Sequence, residues 1–337
     1  MPPKPKKAPL SPAAIMEDLI GSWRARALSA AVELDLFSPI AVGKGTAKEI
    51  AGAAGTSLRG TAALLDALTA MGYLRKSGDR YRLEPAAAAF LVPGKKEYAG
   101  AIANALALTW NSWKNLPEVV RTGRASEAVN DADQGREFFP KLVASLFPGN
   151  FSASQAIVSR FPGKERRKIR EILDVAAGSG AWSLAFAQAI PEARVTTLDF
   201  PETTPITRSF AQQVRVAERY SYLEGDLRQA DFGRDKYDLV ILGHIIHSEG
   251  AQHGQALLRK CHAALRPGGR LLIAEYVPND ARTGPPMPML FALTMLLQTD
   301  EGNVFTLREF RAWLKDARFR NVTTIPVPPA TVITAQK

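Results

Sequence analysis

At 337 residues, 46% hydrophobic and with a formal net charge of +10, the chain is long enough for about two domains and a sizeable core. It holds no apolar run of the ~18 residues that a membrane span needs. Its single cysteine, Cys261, excludes an intrachain disulfide and a cysteine-ligated zinc site, and a cytoplasmic protein is expected.

The basic balance alone is weak evidence for nucleic-acid binding. The tail carries three lysines, and the cluster KERRKIRE from Lys164 to Glu171 is interleaved with acids. Residues 1–11, with proline at four of the first nine positions, predict an extended, disordered tail and no secretory signal. Residues 12–36 are apolar on one face and predict a helix. TAKEIAGAAG (46–55) and SLRGTAALLDALTAMG (57–72) predict two more, with Thr46 and Ser57 as N-caps and Gly55 and Gly72 as stops. YLRKSGDRYRL (73–83) alternates around Ser-Gly-Asp, as a β-hairpin does. Helix, turn, helix, hairpin is the order of a winged helix. Residues 97–160 read as mostly helical and carry Trp110, Trp113, Phe138, Phe139, Phe147 and Phe151, core residues by default.

Beyond about residue 170 short apolar runs alternate with helical stretches: EILDV, ARVTTLDF, YSYLEGD, YDLVILGHII, RLLIAEYV. That alternation predicts a parallel sheet covered on both faces. NVTTIPV and ATVITAQK, separated only by Pro-Pro, predict a terminal antiparallel hairpin.

LDVAAGSG (173–180) sits between a strand and a helix. Gly178 and Gly180 let a ligand approach the backbone, and Asp174 lies at the carboxyl end of the strand, where open α/β sheets bind ligands. A dinucleotide fingerprint would need Gly or Ala at the position of Ser183. Asp199 follows Gly178 by 21 residues (199 − 178), a spacing that suits ribose hydroxyls of NAD and of S-adenosylmethionine equally. Asp226, in LEGDL, either meets an adenine amino group or caps its own loop. GHIIHSEG (243–250) places His244 and His247 at the next strand end, a position suited to proton transfer. No other clear ligand cluster joins them, so no metal is expected.

Glycine loop, acidic strand end, Gly225-Asp226, YDLVIL and Arg266-Pro267-Gly268-Gly269, in this order, resemble a class I S-adenosylmethionine-dependent methyltransferase over roughly residues 165–337. Asp174, Gly178 and Gly180 match its loop, while Ala176 replaces the first glycine. With the winged helix, nearly the whole chain resembles the small-molecule O-methyltransferases with an N-terminal dimerisation domain, which include plant phenolic and bacterial natural-product tailoring enzymes. His247 falls on the histidine of their Leu-His-Asp-Trp motif, with Ser248 and Glu249 replacing the last two residues. Glu275, 28 residues on (275 − 247), matches the glutamate that orients that histidine, and Val304 takes the place of a second glutamate.

The resemblance implies a Rossmann-like α/β domain, a mostly parallel seven-stranded sheet ending in an antiparallel hairpin, behind an all-helical winged-helix domain. Its boundaries would be 12–95 for dimerisation, 96–160 for a helical linker to the substrate pocket and 161–337 for cofactor binding. It implies S-adenosylmethionine held by Asp174, Ala176, Gly178, Gly180, Asp199, Phe200, Gly225, Asp226, Leu227 and Gly243. It implies an aromatic acceptor walled by Trp110, Phe139, Phe291 and Met295, and a homodimer. His247 would take the proton of the acceptor hydroxyl and Glu275 would stabilise it. Nitrogen, sulfur or carbon acceptors, and a non-methylating reaction in the same fold, remain alternatives. A winged-helix DNA-binding regulator is disfavoured because residues 57–72 hold one Arg and no Lys, Asn or Gln. Nucleic-acid base methylation is disfavoured because GHII stands where its Asn/Asp-Pro-Pro-aromatic signature belongs.

Overall fold

The structure, a computed structural model, describes residues 11–337 apart from residues 96, 130, 131 and 162. The expected tail lies outside the described residues up to residue 10. The chain forms two compact units, the first ending at Ala107 and the second beginning at Leu108.

In the first unit α1 (Pro12–Glu33) starts where the Ser11 side chain accepts from the Ala14 N–H. The single helix expected over 12–36 is broken: Asp35 takes φ 47°, and the chain turns into α2 (Phe37–Ala41). Thr46 and Glu49 form a reciprocal capping box at α3 (Ala47–Ala54), which Gly55 ends in the left-handed conformation. Ser57 caps α4 (Leu58–Ala70). β1 (Leu74–Ser77) and β2 (Arg80–Leu83) pair antiparallel as the expected hairpin. Asp66 of α4 ties the hairpin down, accepting from Lys76 Nζ at 2.6 Å and Tyr81 Oη at 2.8 Å. α5 (Pro85–Phe90) closes a core of Leu36, Phe37, Ile50, Leu65 and Leu68. Several large apolar side chains of α1 face outward: Ile15, Met16 and Leu19 are exposed, and Trp23 is 75% exposed.

Next come α6 (Ile102–Lys114), α7 (Leu116–Thr122), α8 (Ala132–Arg160) and the short α9 (Gly163–Arg166). The α/β layers follow as β3 (Glu171–Val175), α10 (Ala181–Ala189), β4 (Arg194–Asp199), α11 (Thr204–Gln213), β5 (Tyr220–Glu224), β6 (Tyr237–Gly243), α12 (Ile246–Ala264) and β7 (Leu265–Glu275). The chain finishes with α13 (Pro286–Gln298), α14 (Leu307–Asp316), β8 (Arg320–Val327) and β9 (Ala330–Gln336). The sheet order is β5-β4-β3-β6-β7-β9-β8. The first five strands are parallel; β9 pairs antiparallel with both β7 and β8.

Strand order reverses between β3 and β6, and open sheets bind ligands at the carboxyl ends beside such a point. Val240, Leu242, Leu271 and Ile273 pack on one face with α12 and α14, and Leu239, Ile241 and Leu272 on the other with Trp182 and Phe186 of α10. Cys261 of α12 is fully buried, and burial pushes its thiol up. The helix α12 is not regular. Gly250 interrupts it at φ 73°, ψ −179°, and a Cβ there would lie 2.7 Å from the Glu301 carbonyl oxygen. Among the described residues no helix is long and apolar enough to cross a membrane.

Candidate active site

Asp174, one residue before the end of β3, is almost fully buried. The loop after it alternates left-handed residues: Ala176 at φ 52°, Gly178 at 58° and Gly180 at 71°. Glycine adopts this conformation freely, whereas alanine carries roughly 1–2 kcal/mol of strain. The loop is held from beneath. Asp199, at the end of β4, accepts from the N–H of Gly178 at 2.6 Å and of Phe200 at 2.8 Å, and the Thr207 hydroxyl donates to the Gly178 carbonyl at 2.6 Å.

Two observations fit a nucleoside cofactor with an ammonium group. Asp199 accepts from Gly178, Phe200 and the Thr203 hydroxyl, which leaves one of its roughly four lone-pair sites for a ribose hydroxyl. Asp174 Oδ2 is buried with no partner, although Ser183 donates to that carboxylate. Burial pushes Asp174 up to about 7 and Asp199 up to about 6. A buried carboxylate oxygen of this kind is completed by a donor, and a cationic one suits it best.

Gly225, at φ 154°, leads from β5 to Asp226, which lies two residues past the strand that was expected to contain it. Asp226 Oδ1 caps its own loop, accepting from the Arg228 N–H at 2.8 Å. The Leu227 carbonyl accepts from Lys260 Nζ at 2.6 Å. Gly243 ends β6 against the Trp182 ring, which any Cβ would overlap.

The first turn of α12 carries His247, and Glu275 ends the neighbouring β7. His247 Nδ1 lies 2.7 Å from Glu275 Oε2, and the His247 N–H donates to Oε1 at 3.1 Å. Burial alone would raise the Glu275 carboxyl, but His247 holds it below the ordinary range. A carboxylate on Nδ1 makes that nitrogen the donor and leaves the lone pair on Nε2. The Asn303 N–H donates to the His247 carbonyl at 2.8 Å, which fixes the turn.

The motif's other departures have partners here. Glu249, 8% exposed at its side chain, is paired with Arg228 Nε at 2.9 Å, from the loop after β5. Val304 is buried beside that turn, where it offers no second carboxylate.

Phe291 of α13 meets His247 edge-on at 4.8 Å and Tyr276 at 4.6 Å. Met295, one turn later, is buried. Trp110, partly exposed on α6, and Phe139, edge-on to Phe138 on α8 at 5.5 Å, have no described ring contact with this cluster. Sequence reasoning missed Trp182, Tyr276 and Arg228. Tyr276 directly follows Glu275 and Trp182 opens the helix after the glycine loop, so strand and helix ends were the signal available. His244, His247 and Glu275 bring one nitrogen or oxygen each within 4.8 Å of one another.

Family models match the chain twice: an O-methyltransferase domain over residues 154–320 and an O-methyltransferase dimerisation domain over residues 16–93. The tetracenomycin polyketide synthesis 8-O-methyl transferase TcmO of Streptomyces glaucescens is 31% identical over 320 residues, 94% of each chain. The 3-hydroxy-5-methyl-1-naphthoate 3-O-methyltransferase of Streptomyces sahachiroi is 30% identical over 311 residues, 90% of this chain and 88% of that one. The solved structure of PigF with SAH, at 26% identity, aligns with TM-score 0.83 over 97% of this chain and 100% of that one.

Proposed function

Because the chain belongs to the O-methyltransferase family, we propose that it methylates a hydroxyl of an aromatic or polycyclic small molecule from S-adenosylmethionine, with His247 as general base. The observation that carries this reading is the 2.7 Å contact of His247 Nδ1 with Glu275, at the carboxyl ends of β6 and β7 beside the glycine loop.

When bound, S-adenosylmethionine supplies a methyl carbon on a sulfonium that leaves as a neutral thioether. Gly178, Gly180 and Ala176 would form its cradle; Asp199 would take a ribose hydroxyl, Asp174 the ammonium side, and Phe200, Gly225, Asp226, Leu227 and Gly243 would line the rest. The cofactor would supply the methyl group for the acceptor oxygen, and Nε2 of His247 would take the proton of that hydroxyl. Glu275 stabilises the imidazolium that results. Phe291 and Met295 wall the acceptor, joined by Trp110 and Phe139 from the 96–160 segment. Holding two reactants in line supplies much of the acceleration. The base adds about 10²–10⁴-fold. The 12–95 module pairs two copies of the chain into a homodimer, and we place the enzyme in the cytoplasm.

Labelled methyl from S-adenosylmethionine, offered to phenols, quinones, amines and thiols, tests this. Label is expected in a phenolic product, with kcat reduced about 10²–10⁴-fold in His247→Ala. Undiminished kcat in the variant would overturn the base role, and label confined to amines or thiols would overturn the acceptor class.

A further inference from the structure

We propose that His244 is a second acceptor-binding residue, and that the favoured acceptors carry two oxygens at neighbouring or peri positions, one presented to His247 and the other to the unpartnered Nδ1 of His244. This rests on the aromatic-hydroxyl reading above and narrows it.

The placement of His244 carries the argument. It directly follows Gly243, at the carboxyl end of β6 and beside the switch in strand order. It is held at φ 61°, a left-handed conformation that strains a non-glycine residue and concentrates at ligand sites. The His244 N–H donates to the Ala274 carbonyl at 2.9 Å, which pins the strained backbone to β7. Its ring is confined by Tyr276 at 5.0 Å and Trp182 at 5.8 Å, and it faces His247 at 6.1 Å.

In that setting His244 Nδ1 is buried and has no hydrogen-bond partner, and neither has Trp182 Nε1. Leaving a buried polar atom unpaired is unfavourable, and two in one ring cluster next to a reactive histidine mark where ligand atoms belong. One nitrogen of His244 and one of His247 lie within 4.8 Å, yet no hydrogen bond joins the rings. The two ring centroids are 6.1 Å apart and tilted by 49°, a separation that a pair of adjacent oxygens can bridge with one oxygen to each imidazole. The proton chemistry also divides cleanly. Burial pushes His244 down to about 4, so it is neutral near pH 7 and does not compete with His247 for the acceptor proton. A neutral imidazole donates to a ketone oxygen or accepts from a second phenol.

The test is calorimetric titration of 1,8-dihydroxynaphthalene and of 1-naphthol onto the full chain saturated with S-adenosylhomocysteine. In the wild type the diol should bind at least about tenfold more tightly than the mono-ol, as one well-placed hydrogen bond gives. His244→Phe should bring the two within about twofold by weakening the diol alone. His244→Gln, which keeps an amide, should retain part of the difference. Affinity for S-adenosylhomocysteine should stay within about twofold in both variants, which also reports that they fold. Equal binding of diol and mono-ol by the wild type, or an undiminished difference in His244→Phe, would overturn the proposal. So would a loss of S-adenosylhomocysteine affinity in a folded variant, which assigns His244 to the cofactor. Failure of the base assignment is read elsewhere, as methyl transfer that survives His247→Ala.

Discussion

Replacing Asp174 with asparagine should stabilise the cofactor-free protein progressively more as pH rises. Burial moves this carboxyl from 3.8 to about 7, with hydrogen bonds from Ser183 opposing. The folded state therefore keeps a proton that the unfolded chain releases, and stability is lost as pH climbs from about 4 to about 7. At ~1.4 kcal/mol per pH unit the loss is about 2 kcal/mol near pH 5 and about 4 kcal/mol near pH 8. Asparagine cannot ionise and escapes both. It does bury an amide N–H group that lacks an acceptor, at about 1–3 kcal/mol, but equally at the two pH values. The difference in unfolding free energy between variant and wild type should therefore rise by about 2–3 kcal/mol between those conditions. Urea unfolding of both proteins at each pH measures it. Parallel stabilities would refute the argument. Saturating S-adenosylmethionine should flatten the wild-type pH slope, since a donor then reaches Oδ2, and should bind Asp174→Asn at least about tenfold more weakly.

Asp199→Ala removes the acceptor of two backbone N–H groups and the proposed ribose ligand, so calorimetry should show cofactor affinity reduced well over tenfold; an unchanged Kd would refute the ribose role. Gly250→Ala should cost about 2–4 kcal/mol and lower kcat, because its Cβ would press on the Glu301 carbonyl and tilt the turn that carries His247. A Tm within about 2 °C of wild type would contradict it. Light scattering should show a dimer for the full chain and a monomer for Trp23→Asp, whose side chain is 75% exposed on α1; a monomeric wild type would remove the proposed homodimer.

Local chemistry was the part most readily read from the residues. Thr46, Ser57 and Gly55 act where capping rules put them, and the Pro-Pro turn does separate two antiparallel strands. The alternation after residue 170 showed a parallel sheet because strands buried on both faces must be apolar throughout. What stayed hidden depends on the third dimension. Arg228 and Glu249 are 21 residues apart, and nothing in either stretch says that one neutralises the other. A glycine in HSEGAQHG reads as a weak point of a helix, not as a kink that accommodates Glu301. His247 and Glu275 were found through a family pattern; their spacing alone does not reveal that β6 and β7 lie side by side. His244 looked like a lesser neighbour of His247 because its importance comes from a backbone angle and from rings on α10 and just past β7. What covers the outward face of α1 was not legible either, because periodicity shows that a helix is amphipathic, not which molecule covers it.

The burial of Cys261 has a practical consequence for anyone who wants to watch this protein work. Its thiol is shut inside the sheet's helical cover and resists ionisation, so maleimides at neutral pH should leave the folded chain unlabelled. The protein is thus a ready background for single-site labelling. A cysteine put in place of Met287, 42% exposed and four residues before Phe291 on α13, would take the only dye. Its emission would follow α13, which carries the proposed acceptor wall, in real time, with the native core left intact.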